Sequence, residues 1–355
     1  MLDIKIVRSE NLKEKPQDEN NLGFGTIFTD HMFVMNYNKE DGWHDARVVP
    51  YGDISLSPAA VVLHYGLEIF EGMKAYRAAN DDILLFRARE NAKRLNRSAV
   101  RMCMPEVDVE FNYEAIRTLV DIERDWVPKS PGTSLYLRPT MIADGAMLGV
   151  HPSHRYYYYI ICSPSGAYYA KGLAPISIFV EDAYVRAVKG GTGEAKTGGN
   201  YAASLKAASI ASAKGYDQVL WLDAEHRKYV EEVGAMNMMF LLGDTLCTAA
   251  LEGSILPGIT RMSILELARE MGIKVEERKI SVDELIEANK SGKLLEAFGT
   301  GTAAVISPVG ELTYKDKTIV INDKKIGALT QKFYDTLTGI QVGQIADTHN
   351  WVTRV

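Results

Sequence analysis

The sequence predicts an α+β protein of two domains, and three observations carry that expectation. The chain has 355 residues, about twice the ~150 of a single domain. Strand-like and helix-like runs occur in both halves without the strict alternation of a doubly wound parallel sheet. Between the halves lies SPSGAYYAKGLAP, from Ser163 to Pro175, where Gly, Ser and Pro break every pattern. The expected organisation is a smaller N-terminal α/β domain over residues 1–163, a linker over 164–175, and a larger C-terminal α+β domain over 176–355. A hydrophobic content of 46% excludes a disordered chain.

In the first half, apolar alternation and β-branched or aromatic runs predict strands at Met32 to Tyr37, Ala46 to Val49, Ile83 to Phe86, Leu135 to Ile142 and Tyr156 to Cys162. Asn91 to Met102 and Tyr113 to Val127 read as amphipathic helices. In the second half, strands are expected at Ile176 to Val180, Gln218 to Leu222, Met236 to Leu242 and Thr245 to Ala249. Helices follow at Tyr201 to Lys214, Arg261 to Met271 and Ser281 to Ala288. Gly215 and Gly272 stand where helices end in a left-handed residue. Ser281 with Glu284 fits a capping box.

Composition narrows the function. With 40 Lys+Arg against 46 Asp+Glu the net charge is -6, which lacks the basic surface that replaces phosphate counterions, so no nucleic-acid partner is expected. No apolar run approaches the ~20 residues that span a bilayer, and MLDIKIVRSENLKEKPQDEN is too charged for a signal peptide, so the chain is expected in the cytoplasm, away from membranes. Cys103, Cys162 and Cys247 lie far apart and show no metal or disulfide spacing. They read as reduced, half-buried packing residues, and no metal is expected.

The most informative stretch is GGTGEAKTGGNYAA, from Gly190 to Ala203. Lys196 sits between glycine pairs in a segment too Gly-rich for a strand or helix interior. On its own this suits a solvated surface loop. A phosphate loop of the form GxxxxGK(S/T) matches at Gly190, Lys196 and Thr197. It fails at Ala195, and Gly198 and Gly199 are expected to break the helix that should start there. The third reading is a Schiff-base lysine, which needs close approach to an aldehyde and enough desolvation to lose its proton. Pyridoxal phosphate would then also require a phosphate cup and a partner for its ring nitrogen.

Two segments could form the cup. ILPGITR, from Ile255, is expected to run from a strand into a helix, with the amides of Ile259 and Thr260 at the helix N-terminus where an anion is favoured. FGTGTAA, from Phe298, offers a turn of small residues with the hydroxyls of Thr300 and Thr302. For the nitrogen partner, Glu231 and Glu232 are adjacent in YVEEVGAMNMMFLL. In a strand they face opposite sides, so one can be buried while the other meets solvent.

Together these segments resemble the class IV, fold-type IV pyridoxal-phosphate aminotransferases, and within them the branched-chain amino-acid aminotransferases. The resemblance spans nearly the whole chain: FGTIFTDHM from Phe24, HYGLEIFEGMKAY from His64, RLNRSAVRMCMP from Arg94, SLYLRP from Ser134, GAMLGV from Gly145, EVGAMN from Glu232, and the glycine-rich, ILPGITR and FGTGTAA segments. It implies a cofactor, pyridoxal 5′-phosphate, held between the two domains. Lys196 is then the catalytic Schiff-base lysine, Glu232 the partner of the ring nitrogen and Tyr201 the partner of O3′. Arg94 with Ile259, Thr260 and Thr302 forms the phosphate cup.

The same resemblance puts the substrate α-carboxylate on the turn at Thr302, Ala303 and Ala304, and the side chain among Phe28, Tyr65, Phe70, Tyr136 and Tyr168. Arg138, with the hydroxyls of Tyr65 and Tyr168, would receive the γ-carboxylate of glutamate. Leu148 and Val150 match a loop that reaches the partner subunit's pocket, which implies a homodimer. Ala304 and Ser307 stand where mammalian mitochondrial members have a redox CxxC pair, so a thiol switch there is excluded and a bacterial-type enzyme is favoured. Ala235 replaces a Thr of some members. The implied reaction is reversible amino transfer between L-leucine, L-isoleucine or L-valine and 2-oxoglutarate. A D-amino-acid aminotransferase and an aminodeoxychorismate lyase are the alternatives within the fold.

Overall fold

The computed structural model describes residues 2–166 and 173–355. Packing divides the chain into two compact units: Met1–Ala170 with Ala195–Gly198 and Gly339–Val355, and Lys171–Glu194 with Gly199–Thr338. A single cut at 164–175 would leave the segment around Lys196 and the C-terminal residues with the second half of the chain. Packing places both with the first unit.

The first unit is built on a nine-stranded sheet. Its strands in chain order are β1 (Lys5–Ile6), β2 (His31–Asn38), β3 (Gly42–Pro50), β4 (Glu68–Phe70), β5 (Met73–Arg77), β6 (Ile83–Phe86), β7 (Ser134–Ile142) and β8 (Arg155–Ser165), joined by Val352–Arg354 near the end of the chain. The spatial order is β1-β3-β2-β8-β7-β5-β6 and then Val352–Arg354, with β4 on β7. β8 shows why this sequence makes strands. Tyr156, Tyr158, Ile160 and Cys162 are buried while Tyr157, Tyr159 and Ile161 are half-buried, the period-two pattern of a sheet with one core face.

Against that face pack α2 (Ala88–Arg101) and α3 (Val109–Ile122), after the single turn α1 (Val61–Tyr65). Leu95, Ala99, Ile116 and Leu119 meet Phe33, Leu135, Leu137 and Ile160 in one core. The helix expected at Tyr113 to Val127 starts earlier, because the Asp108 carboxylate accepts from Phe111 N at 2.8 Å and caps it, and it ends at Ile122 before a 3₁₀ turn.

The second unit carries β9 (Ile176–Glu181), β10 (Gln218–Leu222), β11 (Val230–Val233), β12 (Met236–Leu242), β13 (Thr245–Thr248), β14 (Lys274–Glu277), β15 (Leu294–Gly301), β16 (Val305–Tyr314) and β17 (Lys317–Val320). The path β11-β10-β9-β16-β15-β12 is closed by a further β11–β12 pairing, so these strands form a ring without a free edge. Its helices are α4 (Gly198–Ala202), α5 (Leu205–Ala213), α6 (Ile259–Glu270), α7 (Val282–Lys290) and α8 (Ala328–Gln341), of which α4 and α8 each straddle the boundary between the units.

Several local expectations change. The helix from Tyr201 to Lys214 is two helices, and Gly198 and Gly199 open the first of them rather than breaking it. Ile255 follows no strand, since β13 ends at Thr248. Ser281 caps α7 by accepting from Glu284 N at 3.1 Å, but the Glu284 carboxylate binds Arg278 instead of completing the box. Gly215 and Gly272 do take left-handed φ of 86° and 71°. Cys162 and Cys247 are fully buried and Cys103 is exposed, so none is half-buried. No helix among the described residues is long and apolar enough to cross a membrane.

Candidate active site

In the first unit, three residues from the glycine-rich loop are fastened to the sheet and to α2. Lys196 N donates to Ser98 Oγ at 2.9 Å, Lys196 O accepts from Phe70 N at 2.9 Å, and Thr197 Oγ1 donates to Glu68 O at 2.7 Å. Gly198 N donates to the Glu68 carboxylate, and any Cβ at Gly198 would collide with that carboxylate. The Glu68 carboxylate thus explains the glycine two residues after the lysine.

Asn91, Arg94 and Ser98 follow one face of α2 at helical spacing. Arg94 donates twice to Glu71, from Nε at 2.8 Å and from Nη2 at 2.9 Å, and Asn91 Nδ2 adds a third bond to Glu71 at 2.8 Å. Both members of the pair are buried. Burial would raise the Glu71 pKa, but Arg94 holds it below the usual carboxylate range. Arg94 was legible only through the resemblance. Glu71 and Asn91 went unread, and a charged residue between Phe70 and Gly72 was the available signal.

The Lys196 ammonium lies 4.7 Å from the Phe70 ring centroid. Burial, reinforced by Arg94 and Arg138, lowers its pKa from 10.5 to about 8, despite the opposing effects of Glu71 and Tyr136. At pH 8 about half of such lysines are neutral, against roughly 0.3% for an ordinary lysine.

Arg138 lies 4.6 Å from the Phe70 centroid and donates to Tyr136 Oη at 3.1 Å. Gly72 leaves room for that hydroxyl, because a Cβ there would overlap it. Phe70, Tyr136, Arg138 and Lys196 are therefore one neighbourhood. Lys74, the register partner of Tyr136 on β5, shares its face of the sheet, and burial lowers its pKa to about 8; the sequence reading did not single it out. Tyr65 donates its hydroxyl to Leu148 O rather than to Arg138, and Leu148 and Val150 are 66% and 82% exposed. Phe28 stacks on Tyr51 at 5.1 Å instead. Tyr168 lies outside the described residues.

The second unit holds the other candidates. Glu232 and Asn237 are register partners on β11 and β12, so they share a face. Both reach Leu256: its N–H donates to Glu232 Oε1 at 2.8 Å and its carbonyl accepts from Asn237 Nδ2 at 2.9 Å. Asn237 Oδ1 also fills the space where a Cβ of residue 258 would stand, which makes Gly258 obligatory. This clamp sets the entry to α6. Gly258 is its N-cap with no side-chain bond, so the Ile259 and Thr260 amides head the helix at the end where an anion is favoured.

Glu231 and Glu232 are both buried, at 7% and 3% exposure, which corrects the expectation that one meets solvent. Two neighbours take up the second charge. Ser254 Oγ donates to Glu231 Oε1, and Arg186 Nε lies 3.2 Å from Glu232 Oε2. Burial raises the Glu231 pKa. Arg186 was missed because a lone arginine in AYVRAV carries no pattern.

Tyr201 lies on α4, where Asn200 bonds Thr192 through both its amide atoms at 2.8 Å. Thr302, Ala303 and Ala304 form the turn between β15 and β16. The next residue, Val305, has φ of 60°, a conformation rare for a β-branched side chain, and Ile306 N closes a γ-turn onto Ala304 O at 2.8 Å. Strained backbone therefore adjoins the small-residue turn.

The fold, with a half-buried lysine whose pKa is lowered to about 8, points to a class of protein. Residues 68–312 match the family model described as Amino-transferase class IV. The Branched-chain-amino-acid aminotransferase 2 of Bacillus subtilis (strain 168) is 53% identical over 352 residues, covering 99% of this chain and 97% of that one. The branched-chain aminotransferase from Thermoproteus uzoniensis, solved with norvaline, is 28% identical with a TM-score of 0.76, over 91% of this chain and 99% of that one. The T.th. branched-chain amino acid aminotransferase, solved with pyridoxamine 5′-phosphate, has a TM-score of 0.74 at 27% identity, over 90% and 97% of the two chains. The chain belongs to the branched-chain-amino-acid aminotransferases of class IV.

Proposed function

We infer that this chain transfers the amino group reversibly between L-leucine, L-isoleucine or L-valine and 2-oxoglutarate, giving branched 2-oxo acids and L-glutamate. The observation that carries the reading is Lys196: a half-buried lysine with a pKa lowered to about 8, in a chain 53% identical to such an enzyme over 99% of its length. The cofactor is pyridoxal 5′-phosphate, and the residues fit it. A neutral lysine suits an aldehyde, the buried Glu232 suits a protonated ring nitrogen, and the α6 N-terminus suits a phosphate.

When bound, the cofactor supplies an electron sink for the pair released as the substrate Cα–H bond breaks. In our reading Lys196 would hold the cofactor, and its amine would take and return the substrate Cα proton. Glu232 would hold the ring-nitrogen proton and Tyr201 would bind O3′. Arg94, the amides of Ile259 and Thr260, and Thr302 would hold the phosphate.

The turn at Thr302, Ala303 and Ala304 orients the α-carboxylate. Phe28, Tyr65, Phe70, Tyr136 and Tyr168 exclude water from an apolar side chain. Arg138 receives the γ-carboxylate of glutamate, as a half-buried arginine at a bonded tyrosine hydroxyl can. The exposed Leu148 and Val150 belong to a homodimer contact, and the enzyme works in the cytoplasm.

The test is a substrate panel with 2-oxoglutarate as acceptor, alongside the visible absorbance of the purified protein. L-leucine should be consumed and D-alanine not. Lys196→Ala with undiminished multiple-turnover rates would sink the assignment, and Glu232→Ala at full kcat would remove its role.

A further inference from the structure

Arg186 belongs to no segment that carries the resemblance, yet it is only 9% exposed and its guanidinium reaches three separate pieces of the second unit. Its Nε lies 3.2 Å from Glu232 Oε2. Its Nη2 donates to Gly193 O at 3.3 Å, in the glycine-rich loop three residues before Lys196, and to Ser254 O, two residues before the Leu256 that Glu232 itself clamps. The pieces are packed without slack: a Cβ at Gly193 would strike both Ser254 O and the Ala187 side chain. Ser254 closes the network from the other side by donating its hydroxyl to Glu231.

Arg186 is a cation at ion-pair distance from Glu232, and its Nε–H is not aligned on any acceptor. A cation beside a buried carboxylate favours the ionised form, which is the form that can accept from a protonated ring nitrogen. Burial raises the Glu231 pKa, so Glu231 competes less for the same arginine.

We propose that Arg186 is a positioning residue for cofactor binding: it fixes Glu232 in its ionised, oriented form and ties to it the glycine-rich loop and the segment that enters α6. The proposal rests on the reading of Glu232 as the ring-nitrogen partner. Lysine cannot replace it fully, because one ammonium on a flexible stem cannot meet three acceptors in a fixed fork.

The experiment compares Arg186→Met, Arg186→Lys and Glu232→Gln in the full chain. Each is reconstituted with pyridoxal phosphate and, separately, with its carbocyclic analogue in which the ring nitrogen is a carbon. Dissociation constants are read by equilibrium dialysis, with kcat and KM from the nitrogen cofactor. Arg186→Met should weaken pyridoxal phosphate at least about tenfold, as loss of a buried charge partner does, and the carbon analogue by less than about twofold. Its kcat should fall with little change in KM for L-leucine. Arg186→Lys should lie between, and it carries the test if the Met variant does not fold. The double variant with Glu232→Gln should bind no worse than Glu232→Gln alone. Equal losses for both cofactors would make Arg186 a mere packing residue and overturn the proposal. If Glu232→Gln itself fails to discriminate the two cofactors, the nitrogen-partner reading falls; if it discriminates and Arg186→Met does not, only this proposal falls.

Discussion

Glu71→Gln is the sharpest test of how the first unit holds its buried charges. Glu71 accepts two charge-assisted bonds from Arg94 at 2.8 and 2.9 Å and one from Asn91 at 2.8 Å, with both charged side chains at 4% exposure or less. The substitution keeps one acceptor oxygen, removes the charge, and turns an amide N–H towards the guanidinium. Breaking one partner of a buried pair costs about 3–5 kcal/mol, and the retained oxygen puts the expected loss near the lower end, a factor of about 150 in the folded-to-unfolded ratio.

Urea unfolding of the cofactor-free protein reads this through tryptophan fluorescence, since Trp43, Trp126 and Trp351 all belong to the first unit. The midpoint should fall without a change in slope. Inorganic phosphate should restore more stability to the variant than to the parent, by mass action on the unpaired arginine. The Glu71→Met, Arg94→Met double variant should recover much of the loss. A shift under about 1 kcal/mol, or a double variant worse than the single one, would refute the reasoning.

Further outcomes follow from other contacts. Burial places the Lys196 pKa at about 8, so the neutral amine is gained as pH rises from 7 to 9, and capture of the cofactor by the cofactor-free protein should accelerate over that range. Arg138 contributes to the lowering, so Arg138→Gln should move that midpoint to higher pH. Gly258→Ala forces a methyl group into Asn237 Oδ1 and should weaken cofactor binding measured by dialysis, with Asn237→Ala in the same chain restoring part of it. Val305→Gly relieves a left-handed β-branched residue but empties a buried position, so the urea midpoint should fall, while KM for the amino acid increases as the turn loosens.

The fold was legible where one periodicity governs a run. β8 is an unbroken aromatic and β-branched run and α3 shows its stripe, so both were readable. β15 and β16 were not, because Phe298 to Ala304 is written in glycine, threonine and alanine, whose strand character comes from pairing with neighbours rather than from their own preference. The helix bearing Tyr201 was misread for the reverse reason: glycines that disfavour a helix in isolation open α4 here, with the Asn200 to Thr192 bonds beside them. Lys196 could be singled out from its glycines, and Glu232 narrowed to one of two. Glu71, Arg186 and Asn237 act through partners more than fifteen residues away, which spacing along the chain cannot express.

Val352–Arg354 pairs with β6, placing Phe86, Leu85 and Leu84 opposite the last residues of the chain. β6 is therefore covered only by a strand made much later in synthesis. Until Val352–Arg354 leave the ribosome, Ile83–Phe86 is an open apolar border available to any other nascent strand. Premature termination in the last turns of α8 would therefore do more than shorten the protein, because it would release chains with an adhesive margin.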